Sequence, residues 1–162
     1  MAVGIGETTG QDVARDKLMA AVAAALDAAG ETGKVDVTNG FRWPIVSHDW
    51  ISSGETTSDI DPASVGPRVA LKETITLHLS IGAWNPGSDE EAELAAFHRA
   101  FYLLGLIVKH VRTQDITLDG SVLWCLPGSS SSAGATLPAD QGGGRVCEIA
   151  ATFVCQHRIA TA

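Results

Sequence analysis

Apolar positions recur along this chain at two spacings, and the switch between them marks out its elements. Over 11–29, Leu18, Val22, Ala25, Leu26 and Ala29 return every three or four residues, while Asp12, Arg15, Asp16 and Asp27 fall off that stripe. This predicts an alanine-rich amphipathic helix stopped by Gly30. A short strand is expected at 34–38, where Val35 and Val37 flank Asp36 before the turn pair Asn39 and Gly40. The clearest alternation runs over 68–84. Val69, Leu71, Ile75, Leu77, Leu79 and Ile81 share one face, with Glu73 the single exception, and Lys72, Thr74, Thr76, His78 and Ser80 share the other.

The turn Asn85-Pro86-Gly87 leads to Ser88-Asp89-Glu90-Glu91, which reads as a capping box with Ser88 as the cap. The helix that follows extends to about residue 112, with Leu94, Phe97, Phe101, Leu104, Val108 and Val111 as its apolar stripe. Its second half, 102–108, is apolar on nearly every side, so more than one neighbour, the first helix or another subunit, is expected to cover it. Two further strands are expected at 116–126, with a turn at Asp119-Gly120, and at 146–159, where Cys147, Ile149, Ala151, Phe153, Cys155 and Ile159 alternate with Glu148, Thr152, Gln156 and Arg158. The stretch 52–66 has the composition of a loop, 127–144 that of a long flexible hairpin arm, and 1–10 that of a loose leader. In 41–66, Pro44 confines any strand near Phe41, Trp43 and Trp50 to a sheet edge. The fold expected is α+β: an antiparallel sheet of about four strands, two helices packed on one face, and the arm.

Composition narrows the function. The 162 residues suit a single domain with a core of its own. Nineteen acidic residues against eleven basic ones give a formal charge of −8, which excludes a broad basic surface for gripping nucleic acid. No apolar run is read as spanning a bilayer, and the run 18–26 lacks the basic leader of a secretory signal because Glu7, Asp12 and Asp16 precede it. Three cysteines in a chain this long do not make a disulfide framework, and a reducing compartment is expected.

Candidate chemistry is sparse. Cys147 and Cys155 lie on one face of one strand about 26 Å apart, too far to share a metal, and Cys125 reaches one of them only if their strands pair. His48 beside Asp49 could be a base with its orienting carboxylate, yet no nucleophile is marked by a motif, and a surface histidine is the simpler account. His98 and His110 stand three helical turns apart. His78 and His157 read as rim or interior histidines with ordinary partners. Gly142-Gly143-Gly144-Arg145 lacks the Lys and Ser/Thr of a phosphate loop and leads into a strand, and the acidic groups around Asp59 and Asp89 lack the spacing of a calcium loop. No catalytic residue, metal site or cofactor is predicted.

The order of these elements, with Phe41-Arg42-Trp43-Pro44-Ile45, the long strand starting at Glu73 and the terminal strand from Arg145, resembles the tail terminator or tail-completion proteins of long-tailed bacteriophages over about 11–159. The resemblance implies a non-enzymatic virion protein in the tail-neck region, assembled in the host cytoplasm. It would form a hexameric ring that caps the tail tube and meets a head-completion or connector protein, while DNA passes through without specific binding. On that reading Phe41, Trp43, Trp50, Tyr102 and Leu106 would face a neighbouring subunit. Pro127, Ser130, Leu137 and Gly143 would belong to a partner-binding arm, and Thr74, Thr76, His78, Glu148 and Gln156 to a polar sheet face that could line the lumen. Two alternatives stand beside it: another neck or tail-tube-related protein, and a small enzyme or ligand-binding domain using His78, His48 or Glu148.

Overall fold

The computed structural model describes residues 3–40, 48–63 and 69–160. In chain order it contains strand β1 (Ile5–Gly6), helix α1 (Gln11–Ala28), strands β2 (Val35–Thr38), β3 (Asp49–Pro62) and β4 (Leu71–Asn85), helix α2 (Glu90–Thr113), strand β5 (Trp124–Thr136), a single 3-10 turn (Ala139–Gln141) and strand β6 (Arg145–Ile159). The six strands form one sheet in the order β1-β6-β4-β3-β2, with β5 also on β6. Strands β5 and β1 lie end to end, β5 pairing from Arg145 to Gln156 of β6 and β1 with Arg158 and Ile159.

The class is α+β, but the sheet is neither four-stranded nor purely antiparallel. β1 runs parallel to β6 and β2 parallel to β3, while β3, β4, β6 and β5 form an antiparallel run. The extra strands come from segments whose composition reads as loop. Ser52 to Pro62 pairs residue by residue with β4 across a bulge between Ser53 and Thr56. The arm segment follows β6 from Trp124 to Thr136, bulging between Pro127 and Ser130, so it lies on the sheet as a hairpin strand. Both are outer strands whose side chains largely reach water, so no apolar alternation betrays them; the neighbouring long strand supplies the ladder instead. Pro127 is tolerated because it sits at a bulge on an edge. The expected strand at 116–126 is mostly turns, with Leu118 fully buried at positive φ, and the ladder starts only at Trp124.

One sheet face carries both helices. Ile75, Leu77, Leu79 and Ile81 of β4 and Cys147, Ile149, Ala151, Phe153 and Cys155 of β6 join Leu18, Val22 and Leu26 of α1 in a single core. α2 lies against β4 and β6 by a face that periodicity alone misassigns. Its buried residues are Ala92, Ala96, Ala100, Leu103, Ile107 and Val111. Of the expected stripe, Val111 is buried and Leu104 and Val108 pack against the core, while Leu94, Phe97 and Phe101 point outward, about 120° around the helix from the buried face. Small side chains at 92, 96 and 100 let the helix axis approach the sheet closely, whereas a residue as large as Phe would hold it off. The N-cap is Asp89, whose side chain accepts from the Ala92 N–H at 2.8 Å, one residue later than the expected Ser88. α2 is also, contrary to the sequence reading, long and apolar enough by length and composition to cross a bilayer, with a mean hydropathy of 1.3 over its most apolar window. In this fold it covers the sheet.

Candidate functional site

The outward face of α2 gathers several exposed large apolar side chains. Leu94 is 53%, Phe97 40%, Phe101 39% and Tyr102 47% exposed. The first three recur at i, i+3 and i+7 and so form one row along the helix. The Phe97 and Phe101 rings touch at a centroid distance of 4.7 Å, and the Arg99 guanidinium lies 5.5 Å from the centre of Tyr102. Tyr102, expected at a subunit interface, stands beside this row; Leu106 is half-buried against the core. Phe41 and Trp43 lie outside the described residues. Trp50 is on the other face of the sheet: its ring lies over Gly82, where an added Cβ would fall 2.0 Å from it, and its Nε1 donates to Ser80 Oγ at 3.3 Å. The structure therefore does not bring Trp50 and Tyr102 together.

That second face is the polar one. Cross-strand pairing puts Thr74 with Gln156, His78 with Thr152 and Gly82 with Glu148, so Thr74, Thr76, His78, Glu148 and Gln156 do share a face. Ser80 Oγ donates to Glu148 Oε1 at 2.7 Å, extending the chain from Trp50. Gln156 is buried, its amide donating to the Glu73 carbonyl at 2.8 Å. Asp59 and Asp61 of β3, paired with Thr74 and Lys72, add acid to this face, and Lys72 and Arg158 add base. His78 and Glu148 stand four residues apart along neighbouring strands, about 13 Å, too far to act on one atom.

Of the arm residues, Pro127 and Ser130 are exposed on β5. Leu137 is buried and its N–H bonds to Gly144. Gly143, in the left-handed region, offers its carbonyl to Trp84 Nε1 at 2.8 Å. Among the described residues the outer side of β5 has no strand beside it, and β2 covers only the first residues of β3.

Two charged clusters, one buried and one half-buried, lock elements together, and both fall where sequence reasoning saw only an exception or nothing. Glu73, on the apolar side of β4, accepts from the Gly10 N–H at 2.9 Å, from His157 Nδ1 at 2.8 Å and from the Thr9 hydroxyl. Its burial alone would push the carboxyl up, but these donors together hold it below its ordinary value. Because the carboxylate accepts, Nδ1 of His157 carries the proton. Arg99 of α2 forms a fork on Glu31, at 2.7 and 3.1 Å, and reaches Asp49 Oδ2 at 2.9 Å. The Arg99 hydrogen bonds hold the Glu31 carboxyl below its usual range, and the other oxygen of Asp49 accepts from the Trp84 N–H. Asp49 thus serves the fold rather than His48. Register pairing is the signal that could have joined Glu73 to His157, since both break the alternation of their strands.

An open cleft of about 540 Å³ lies at the start of α2 between the Asn85–Gly87 turn and Asp89, Glu91, Leu94 and His98. None of His48, His78 and Glu148 lines it. Among the described residues no group of three or more His, Cys, Asp or Glu side chains is placed to hold a metal ion.

No protein-family model matches the sequence, and no curated protein matches it. Among solved structures, a chain of one described as "Virion of native gene transfer agent (GTA) particle" is similar, with a TM-score of 0.45 and 13% identity, over 86% of this chain and 92% of that chain.

Proposed function

We propose that this protein is a structural subunit of a phage-like particle that works by self-association, as the ring that caps a tail tube and meets the head connector. The observation that carries the reading is the row Leu94, Phe97 and Phe101 with Tyr102 beside it, held uncovered on a rigid helix whose sheet-facing side is fully packed. A second copy burying this row would remove four large side chains from water at once. The outer edges of β5 and β3 sit on opposite sides of the sheet and offer two different surfaces, as a head-to-tail ring contact requires. The resemblance of the sequence to tail terminators supplies the place of such a ring, and the net charge of −8 suits a channel that DNA must pass without sticking.

The test is to mix the purified protein with tail tubes and image them by negative stain, after measuring its mass in solution. The expected result is rings seated on tube ends that stop further growth. A protein that stays monomeric even with tubes present refutes the reading, and one that adds along the tube instead makes it a tube subunit.

A further inference from the structure

Cys125 and Cys155 are direct register partners across the β5–β6 ladder, both fully buried and both free. The pair is of the non-hydrogen-bonded kind, because the Cys125 N–H points away from β6 and donates to the Ile116 carbonyl at 2.7 Å. In such a pair the Cα atoms lie about 4.5 Å apart, inside the range of roughly 4.4 to 6.8 Å that a disulfide spans without moving the backbone. Cys147 has no such partner: it pairs with Ala83 and Gly134, and lies eight residues along β6 from Cys155, about 26 Å away.

We propose that Cys125 and Cys155 are a cross-strand dithiol that closes into a disulfide by exchange with a small disulfide such as oxidised glutathione, tying the start of β5 to β6. One cysteine, as thiolate, attacks the glutathione disulfide and releases one glutathione thiol. The second cysteine then attacks the mixed disulfide and releases the other, so that two protein thiols are oxidised and one glutathione disulfide is reduced. Hydrogen bonding to Cys155, together with burial, pushes the Cys125 thiol up, so the packed core is unreactive and exchange proceeds while β5 is open or during folding. The same chain is therefore dithiol in a reducing compartment and cross-linked after release from it.

The test is to refold the full chain from urea into oxidised and reduced glutathione, and in parallel into a reducing buffer. Each product is then denatured, blocked with N-ethylmaleimide, weighed intact and mapped by peptide. The expected result is one maleimide on Cys147 after oxidative refolding, with a 125–155 linked peptide, and three maleimides after reductive refolding. Cys147→Ser should take up none after oxidative refolding. Three maleimides from the oxidising buffer, a link through Cys147, or a link between chains would overturn the proposal.

Discussion

Removing the carboxylate of Glu73 is the sharpest perturbation available in the core. The Glu73 side chain is 0% and that of His157 5% exposed, so neither can turn to water when the other is lost. Glu73→Ala leaves the Thr9 hydroxyl, the Gly10 N–H and His157 Nδ1 without their acceptor, at the point where the N-terminal segment enters α1. Breaking a buried pair in this way costs about 3–5 kcal/mol. At an m-value of about 2 kcal/mol per molar urea, the unfolding midpoint should fall by about 2 M. Glu73→Gln keeps the shape but presents an amide N–H to donors, and should cost about 2 kcal/mol. The pH dependence carries its own sign. The folded-state value of Glu73 lies below its ordinary 4.5, so its contribution is full above about pH 4.5 and is lost as pH falls through the folded value. The gap between wild type and Glu73→Gln should therefore be constant from pH 5 to 7 and shrink below about pH 4.5. Urea titrations read by tryptophan fluorescence at several pH values measure both quantities. Midpoints for both variants indistinguishable from wild type, or a gap that widens on acidification, would refute the account of this cluster.

Three further outcomes follow from named contacts. Arg99→Met strips Glu31 and Asp49 of their shared cation and should destabilise the fold by about 2 kcal/mol in urea titrations, with the Glu31 part of the loss full above about pH 4.5 and fading as pH falls through its lowered folded value. Gly82→Ala puts a methyl group inside the Trp50 ring and should cost about 1–3 kcal/mol with an altered tryptophan emission spectrum, whereas adding Trp50→Ala to the same chain should make room for that methyl group and recover part of the loss. A closed Cys125–Cys155 disulfide spans a loop of about 30 residues and should raise stability by about 3.5 kcal/mol over the reduced chain, measured by urea titration with and without reductant.

What the sequence reveals of this fold follows from which residues pack. α1, β4 and β6 are legible because each has one buried and one wetter face, and the alternation of Ile75, Leu77, Leu79 and Ile81 is the signature of a central strand. β3 and β5 leave no such trace, because Ser130 to Thr136 face water on both sides and their pairing is dictated by β6. α2 shows a subtler failure. It carries two stripes, one of Ala92, Ala96, Ala100, Leu103, Ile107 and Val111 and one of Leu94, Phe97 and Phe101, and hydrophobic size favours the second while close packing on the sheet selects the first. Of the six residues read as the core face, Leu104, Val108 and Val111 do pack in or against the core, and Leu94, Phe97 and Phe101 form the candidate assembly surface. The polar face of the sheet was legible from alternation, whereas the Arg99 cluster, whose partners are 50 and 68 residues away in sequence, carries no local signal.

The mass of the protein in solution, for wild type and for Phe97→Asp/Phe101→Asp, tests self-association through α2 most directly. Both side chains lie on the exposed row and touch chiefly each other, so the double variant should stay folded, losing about 1–2 kcal/mol of stability in urea titrations. The account predicts a closed oligomer for wild type under assembly conditions and a folded monomer for the variant. A wild type that remains monomeric with tail tubes present, or a variant that assembles as wild type does, would contradict it.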